Sequence, residues 1–247
     1  MEIIIHRVNL LKKLKELPTL FGAEIDIRSK GSKLILNHEP DNKGDKFEDY
    51  LSEYKHGTLI LNIKEAGIEN EVIKKVKQAK INSYFLLDVE YPFIFKSIKK
   101  KQRNIAIRFS EIEPISNAKI LHKYFNWIWI DTITKLPVNK NNLKIIKKYN
   151  SCLVCPERWG RSKEIKSYWK KLIKLKFIPN AIMTSEKYAN IWNNLFDSYI
   201  ALRGIFSKSE VLNITKKMAG TEINNFLHSS QNINHLNKIN SKTRLYG

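Results

Sequence analysis

Four side chains in the first forty residues have the types and spacing for acid–base chemistry on an anionic substrate: His6, Glu24, Asp26 and His38. Glu24 and Asp26 stand two apart in "GAEIDI". On a strand they project from one face while Ala23, Ile25 and Ile27 occupy the other. Side by side, their oxygens suit a hard divalent cation, Mg²⁺ or Ca²⁺. A turn at Ser29-Lys30-Gly31-Ser32 sends the chain back through "KLILN" and carries His38 toward the same rim, while His6 ends the strand "EIIIH" beside it. Two imidazoles flanking a cation are what an in-line phosphodiester cleavage needs. One takes the proton of the attacking hydroxyl and the other gives one to the leaving alkoxide. Arg7, Lys64 and Arg108 add fixed positive charge for the phosphate.

These residues are useful together only if something brings their strands side by side. Short β-branched runs recur at 2–6, 22–27, 58–64, 83–88, 104–109, 127–131, 152–157 and 180–184. Amphipathic stretches separate them, such as "GIENEVIKKVKQAK" with Ile68, Val72, Ile73 and Val76 at helical spacing. Eight alternations predict a parallel α/β sheet closed into a compact TIM-type (β/α)8 barrel of about 190 residues, where about 250 is usual. Nearly every expected strand ends in a polar group, among them His6, Asp26, Asn62 with Lys64, Asp88, Arg108, Asp131 and Glu157. That fits a barrel whose chemistry sits at its carboxyl-terminal face.

With the strands in order, "IHR", "EID" and "LNHE" resemble the motif of the glycerophosphodiester phosphodiesterases and their relatives in the phosphatidylinositol-specific phospholipase C-like superfamily. The resemblance spans residues 1 to about 190. It implies that His6 and His38 are the catalytic acid and base and that Glu24 and Asp26 are metal ligands. The family's Glu-x-Lys on the third strand becomes "NIK", with Asn62 at the Glu position and Lys64 kept. A neutral oxygen at Asn62 would hold a cation more weakly unless Asp88 serves as the third anionic ligand. Glu39 follows His38 where Asp is usual, Val8 replaces the Gly after His-Arg, and only "ELPTL" at 16–20 echoes the Pro-Glu-Asn-Thr segment.

Plainer roles stand beside these. Asp88, Arg108 and Asp131 equally fit a salt-bridged ring filling the top of the barrel. Trp127 and Trp129 share parity with Asp131 and would fill the interior beside Ala106, with substrate stacking the lesser role for Trp129. In "PERWGR", Glu157, Arg158, Trp159 and Arg161 fit either an anion-facing mouth loop or a helix-entry turn. Cys152 and Cys155 read as small buried residues in a reducing compartment, since an odd offset points them to opposite faces.

The chain has 247 residues, 43% apolar, and a net charge of +20. Lysine-rich helix faces such as "KKVKQAK" account for much of that charge, which bears on solubility before function. "MEIIIHR" lacks the layout of a secretory signal, and no window reaches the 18 or so apolar residues of a membrane span, so the expected location is the cytoplasm. After Thr184 the alternation stops. The expected division is a barrel domain at 1–192 and a helical tail at 193–247, with helices at 193–203, 208–217 and 220–229 and a polar end. Helix, turn, helix and basic hairpin weakly resemble a winged helix-turn-helix, which would place the helix from Thr221 in a DNA major groove. Seven basic against three acidic side chains make a thin electrostatic footprint, so a helical cap or protein-partner surface fits at least as well. From these features two functions emerge: a metal-dependent hydrolase of a glycerol- or polyol-phosphodiester, or a non-catalytic phospho-ligand-binding regulator with a DNA- or protein-binding tail.

Overall fold

β-branched and aliphatic runs form the strands because both of their faces are covered, which favours Ile, Val and Leu over an alternating pattern. In a computed structural model, residues 1–40, 43–207, 209–211 and 214 are described. Eight parallel strands, β1 (Glu2–Ile5), β2 (Gly22–Lys30), β5 (Leu59–Ile63), β6 (Tyr84–Leu87), β7 (Ala106–Phe109), β8 (Trp127–Ile130), β9 (Asn150–Val154) and β10 (Ala181–Thr184), are each followed by a helix. The helices are α1 (Leu11–Glu16), α2 (Phe47–Glu53), α3 (Glu69–Gln78), α4 (Tyr91–Lys99), α5 (Ile115–Leu121), α6 (Leu143–Ile146), α7 (Ile165–Lys174) and α8 (Glu186–Ile205). The expected TIM-type barrel is present.

Neighbour follows neighbour around the ring, and β1 pairs in parallel with both β2 and β10, Ile5 opposite Ala23 and Thr184. The thinnest seam is β6 to β7, joined by one bridge between Leu86 and Ile105 and the bond from Leu86 N–H to Asn104 O. Between β2 and α2 the chain makes the expected return: β3 (Lys33–Leu36) pairs antiparallel with β2, Lys30 opposite Lys33, through a two-residue loop with Gly31 at φ 60°. A glycine takes that left-handed geometry without steric cost. A two-residue strand, β4 (Asp45–Lys46), pairs with β3 in turn.

Parity divides the core into two layers. Ile4, Ile60, Phe85, Trp129, Cys152 and Met183 fill the barrel, while Ile3, Ile5, Ala23, Ile25 and Ile27 pack outward under the helices. Trp127 stacks on Phe85 at 4.5 Å between ring centroids, so both tryptophans of β8 serve the interior as expected. Cys152 and Cys155 are buried and free, and burial pushes both thiols up, Cys155 to about 12. Cys155 Sγ accepts the indole N–H of Trp192.

Helix α8 runs unbroken through the expected 192/193 division. Ala189, Trp192 and Leu195 belong to the main core, whereas Leu202 and Val211 form a small cluster of their own. An amphipathic pattern does not change where its apolar stripe leaves the barrel, so the end of the alternation marks no break in the helix. Most of the tail helices expected beyond 207 and the polar end lie outside the described residues. Among the described residues no helix is long and apolar enough to cross a membrane.

Candidate active site at the carboxyl-terminal mouth

Glu24 and Asp26 point into the barrel from β2, opposite Ile25 and Ile27, and each is about 1% exposed. Burying two carboxylates is costly unless donors surround them. Glu24 accepts the backbone N–H of Arg7 and the amide of Asn62, both at 2.8 Å. Asp26 accepts the amide of Asn9 at 2.8 Å, and Asn9 Oδ1 takes the N–H of Asp26 in return. Lys64 Nζ is 3.2 Å from Asp26 Oδ1 and Arg7 Nε 3.8 Å from Oδ2. Even so, burial first and the charge of Asp26 second push Glu24 up to about 7.

Arg7 follows β1 with φ 54°, a left-handed turn that aims its own N–H at Glu24. His6 lies just before it, Nε2 3.8 Å from Glu24 Oε2. Burial, then the charges of Arg158 and Arg7, press His6 down to about 2, so the ring is neutral and that contact is not an ion pair. His38 is brought round by the β2–β3 hairpin. Its carbonyl accepts two bonds from the Arg28 guanidinium, whose third goes to Lys64 O, and its Nδ1 lies 2.6 Å from Glu39 Oε1. Glu39, in the place where the resembled family has Asp, therefore still pairs with the histidine.

His6, Arg7, Glu24, Asp26, His38, Asn62, Lys64, Asp88, Arg108, Trp129 and Asp131 all line one mouth cavity of about 190 Å³. These eleven side chains singled out from sequence are thus brought together, and Arg158 and Trp159 of the "PERWGR" loop line the same cavity. Glu157 does not line it. Its carboxylate accepts Thr184 Oγ1 and the N–H of Ser185, pinning the turn after β9 to the end of β10.

The salt-bridged ring is also present. Arg108 reaches Asp88 at 2.6 Å, Asp131 at 3.1 Å and Glu113, and Lys64 joins Asp88 at 3.6 Å. Asp88, at φ 57°, is therefore held by cations, which leaves Asn62 the better third oxygen. Asn62 Oδ1 and Asp26 Oδ1 are buried without a hydrogen-bond partner, the ammonium of Lys64 standing off hydrogen-bonding geometry. Two carboxylates and an amide oxygen, the last buried with no partner and Asp26 Oδ1 faced only by the Lys64 ammonium, fit a hard divalent cation. Among the described residues no group of three or more His, Cys, Asp or Glu forms a metal cluster.

Asn9 and Arg28 went unread in the sequence. Asn9 grips Asp26 through both its carboxylate and its backbone N–H, and Arg28 holds the carbonyls of His38 and Lys64; residue type and spacing carry no signal of either. Trp159 donates its indole N–H to Asp131 Oδ1 at 2.9 Å, which ties the loop after β9 to the end of β8.

No family model matches the chain, and no curated protein matches it significantly. Among solved structures it is similar to an Agrobacterium tumefaciens C58 protein described as a "putative glycerophosphoryl diester phosphodiesterase". The two share a TM-score of 0.52 at 10% identity, over 74% of this chain and 93% of that one. At such low identity the likeness establishes one thing, a shared barrel fold.

Proposed function

We propose that this barrel is a phosphodiesterase acting on a small glycerol- or polyol-phosphodiester. One observation carries this: two imidazoles and two buried carboxylates, from two strands and a hairpin return, line one cavity at the face where such barrels hold their chemistry. Neutral His6 takes the proton of the attacking hydroxyl, either water or a neighbouring hydroxyl of the substrate. As the phosphorus–oxygen bond breaks, His38 gives a proton to the leaving alkoxide, its ring steadied by Glu39. A substrate hydroxyl as nucleophile yields a cyclic phosphate, which water opens with the two roles exchanged. Arg7 and Lys64 steady the phosphate. Glu24, Asp26 and Asn62 would hold Mg²⁺ or Ca²⁺, which supplies charge to offset the phosphoryl oxygens. The fit of the cavity to one phosphate and a small alcohol supports a headgroup-sized substrate.

The test is divalent-cation-dependent hydrolysis of bis(p-nitrophenyl) phosphate and of glycerophosphodiesters. His6→Ala and His38→Ala are each expected to lose about 10²- to 10⁴-fold in rate. Unchanged hydrolysis in both variants would remove the mechanism, and tight ligand binding without turnover would favour a phospho-ligand-binding protein.

A further inference from the structure

Four permanent cations line the mouth cavity: Arg7, Lys64, Arg108 and Arg158. Two are committed to carboxylates: Lys64 spans Asp26 and Asp88, and Arg108 spans Asp88, Glu113 and Asp131. Arg7 leans on Asp26 through Nε alone, at 3.8 Å. Arg158 is the exception: among the described residues its side chain makes no ion pair and no hydrogen bond, although it is half-buried. A guanidinium carries five donors in a fixed fork that matches two oxygens of a phosphate.

Its position is built. After β9, Cys155 and Pro156 are buried, and the chain makes one turn of 3₁₀ helix over Pro156–Trp159 that ends at Gly160 with φ 74°. The residues on either side of Arg158 grip opposite neighbours of β9. Glu157 holds the end of β10 through Thr184 and Ser185, and Trp159 holds the end of β8 through Asp131. Clamped between them, Arg158 lines the same mouth cavity as His6.

We infer that Arg158 is the principal oxyanion-binding side chain of the mouth, its guanidinium taking two oxygens of a phosphate group beside His6. This inference rests on the phosphodiesterase reading of the site; the sequence assigned the phosphate to Arg7, Lys64 and Arg108 and offered Arg158 only as one residue of an anion-facing mouth loop. Lys64 and Arg108 first neutralise Asp26, Asp88 and Asp131, and Arg7 leans on Asp26 and adds to the hold on the phosphate, while among the described residues no carboxylate pairs with the fork of Arg158.

The test compares the full chain with Arg158→Gln, Arg158→Lys and the exposed control Lys144→Gln. Binding of inorganic phosphate is followed by ³¹P NMR, and KM and kcat are measured on a phosphodiester. Arg158→Gln is expected to weaken phosphate at least tenfold and to raise KM more than it lowers kcat. Arg158→Lys should recover only part, because a point charge replaces a fork, and Lys144→Gln should match the parent chain. Because the Arg158 side chain makes no hydrogen bond or ion pair among the described residues, neither substitution breaks one, and both variants should fold as the parent does. Parent-like phosphate binding and KM in Arg158→Gln, with hydrolysis still lost in His6→Ala, would overturn the inference and leave the phosphodiesterase standing. Failure of the parent chain to bind phosphate at millimolar concentration would also overturn it. Arg158-dependent phosphate binding in a chain that cleaves nothing would sustain the anion site and remove the enzymatic reading.

Discussion

At the scale of single residues, the site is a contest between burial and charge. Glu24 and Asp26 are almost wholly withdrawn from water, and donors from Arg7, Asn9 and Asn62 offset only part of that cost. Glu24 has a folded pKa of about 7 against an ordinary 4.5, so its favourable contribution is complete below pH 4.5 and is lost as pH rises to 7. Glu24→Gln is therefore expected to stabilise the cation-free protein above pH 7 by up to about 3 kcal/mol, read as thermal unfolding in chelator. No gain at pH 8 would mean that the carboxylate is not under this strain. His6 works in the opposite direction. Its pKa is depressed from 6.5 to about 2, so its contribution is complete above pH 6.5 and fades as pH falls, and His6→Gln should flatten the acid limb of the stability profile. A cation on Glu24 must also displace a proton near neutral pH, so a Mg²⁺ or Ca²⁺ titration in weak buffer should release protons, and less in Glu24→Gln.

At the scale of elements, the β2–β3 hairpin decides where His38 stands. Arg28, on β2, gives both its Nε and one terminal nitrogen to the His38 carbonyl at about 3 Å and the other terminal nitrogen to Lys64 O. Arg28→Gln is expected to lower kcat about tenfold or more with a smaller change in KM, since two of its three bonds position the acid–base group and one holds the backbone of Lys64. Circular dichroism should show the fold intact. The opposite end of β2 is constrained by space instead. A Cβ at Gly22 would come within 2.4 Å of the Thr58 carbonyl, which belongs to backbone and cannot swing away. Gly22→Ala should cost about 1–3 kcal/mol in urea unfolding, with the mouth chemistry unaffected in the fraction that folds.

At the scale of the whole molecule, the barrel is held unevenly. β1 shares a four-residue register with β10, and β2 a five-residue register with β5, whereas β6 meets β7 through one bridge. Local opening follows the weakest pairing, so amides at the seam, Leu86 and Ala106 among them, should exchange with solvent faster than those of Ile4 and Ile5. Equal protection around the ring would show that the helices, not the ladder, set its cooperativity.

Much of this was legible in the order of the residues. Strand and helix runs alternate eight times because two covered faces demand aliphatic strands, and the period-2 placement of Glu24 and Asp26 fixes which face they share. Gly31 marks the turn because a two-residue hairpin needs positive φ there. What one-dimensional spacing could not supply was partnership. Whether Arg108 served substrate or a ring depended on Asp88, Glu113 and Asp131 arriving from three separate places, and only barrel closure brings them to it. The bonds of Asn9 and Arg28 to site residues, the unbroken run of α8 past residue 192, and the bare guanidinium of Arg158 were decided the same way. Period and polarity are local properties of the chain, while ion pairs, orphaned oxygens and unmatched charges are set by which distant segments meet.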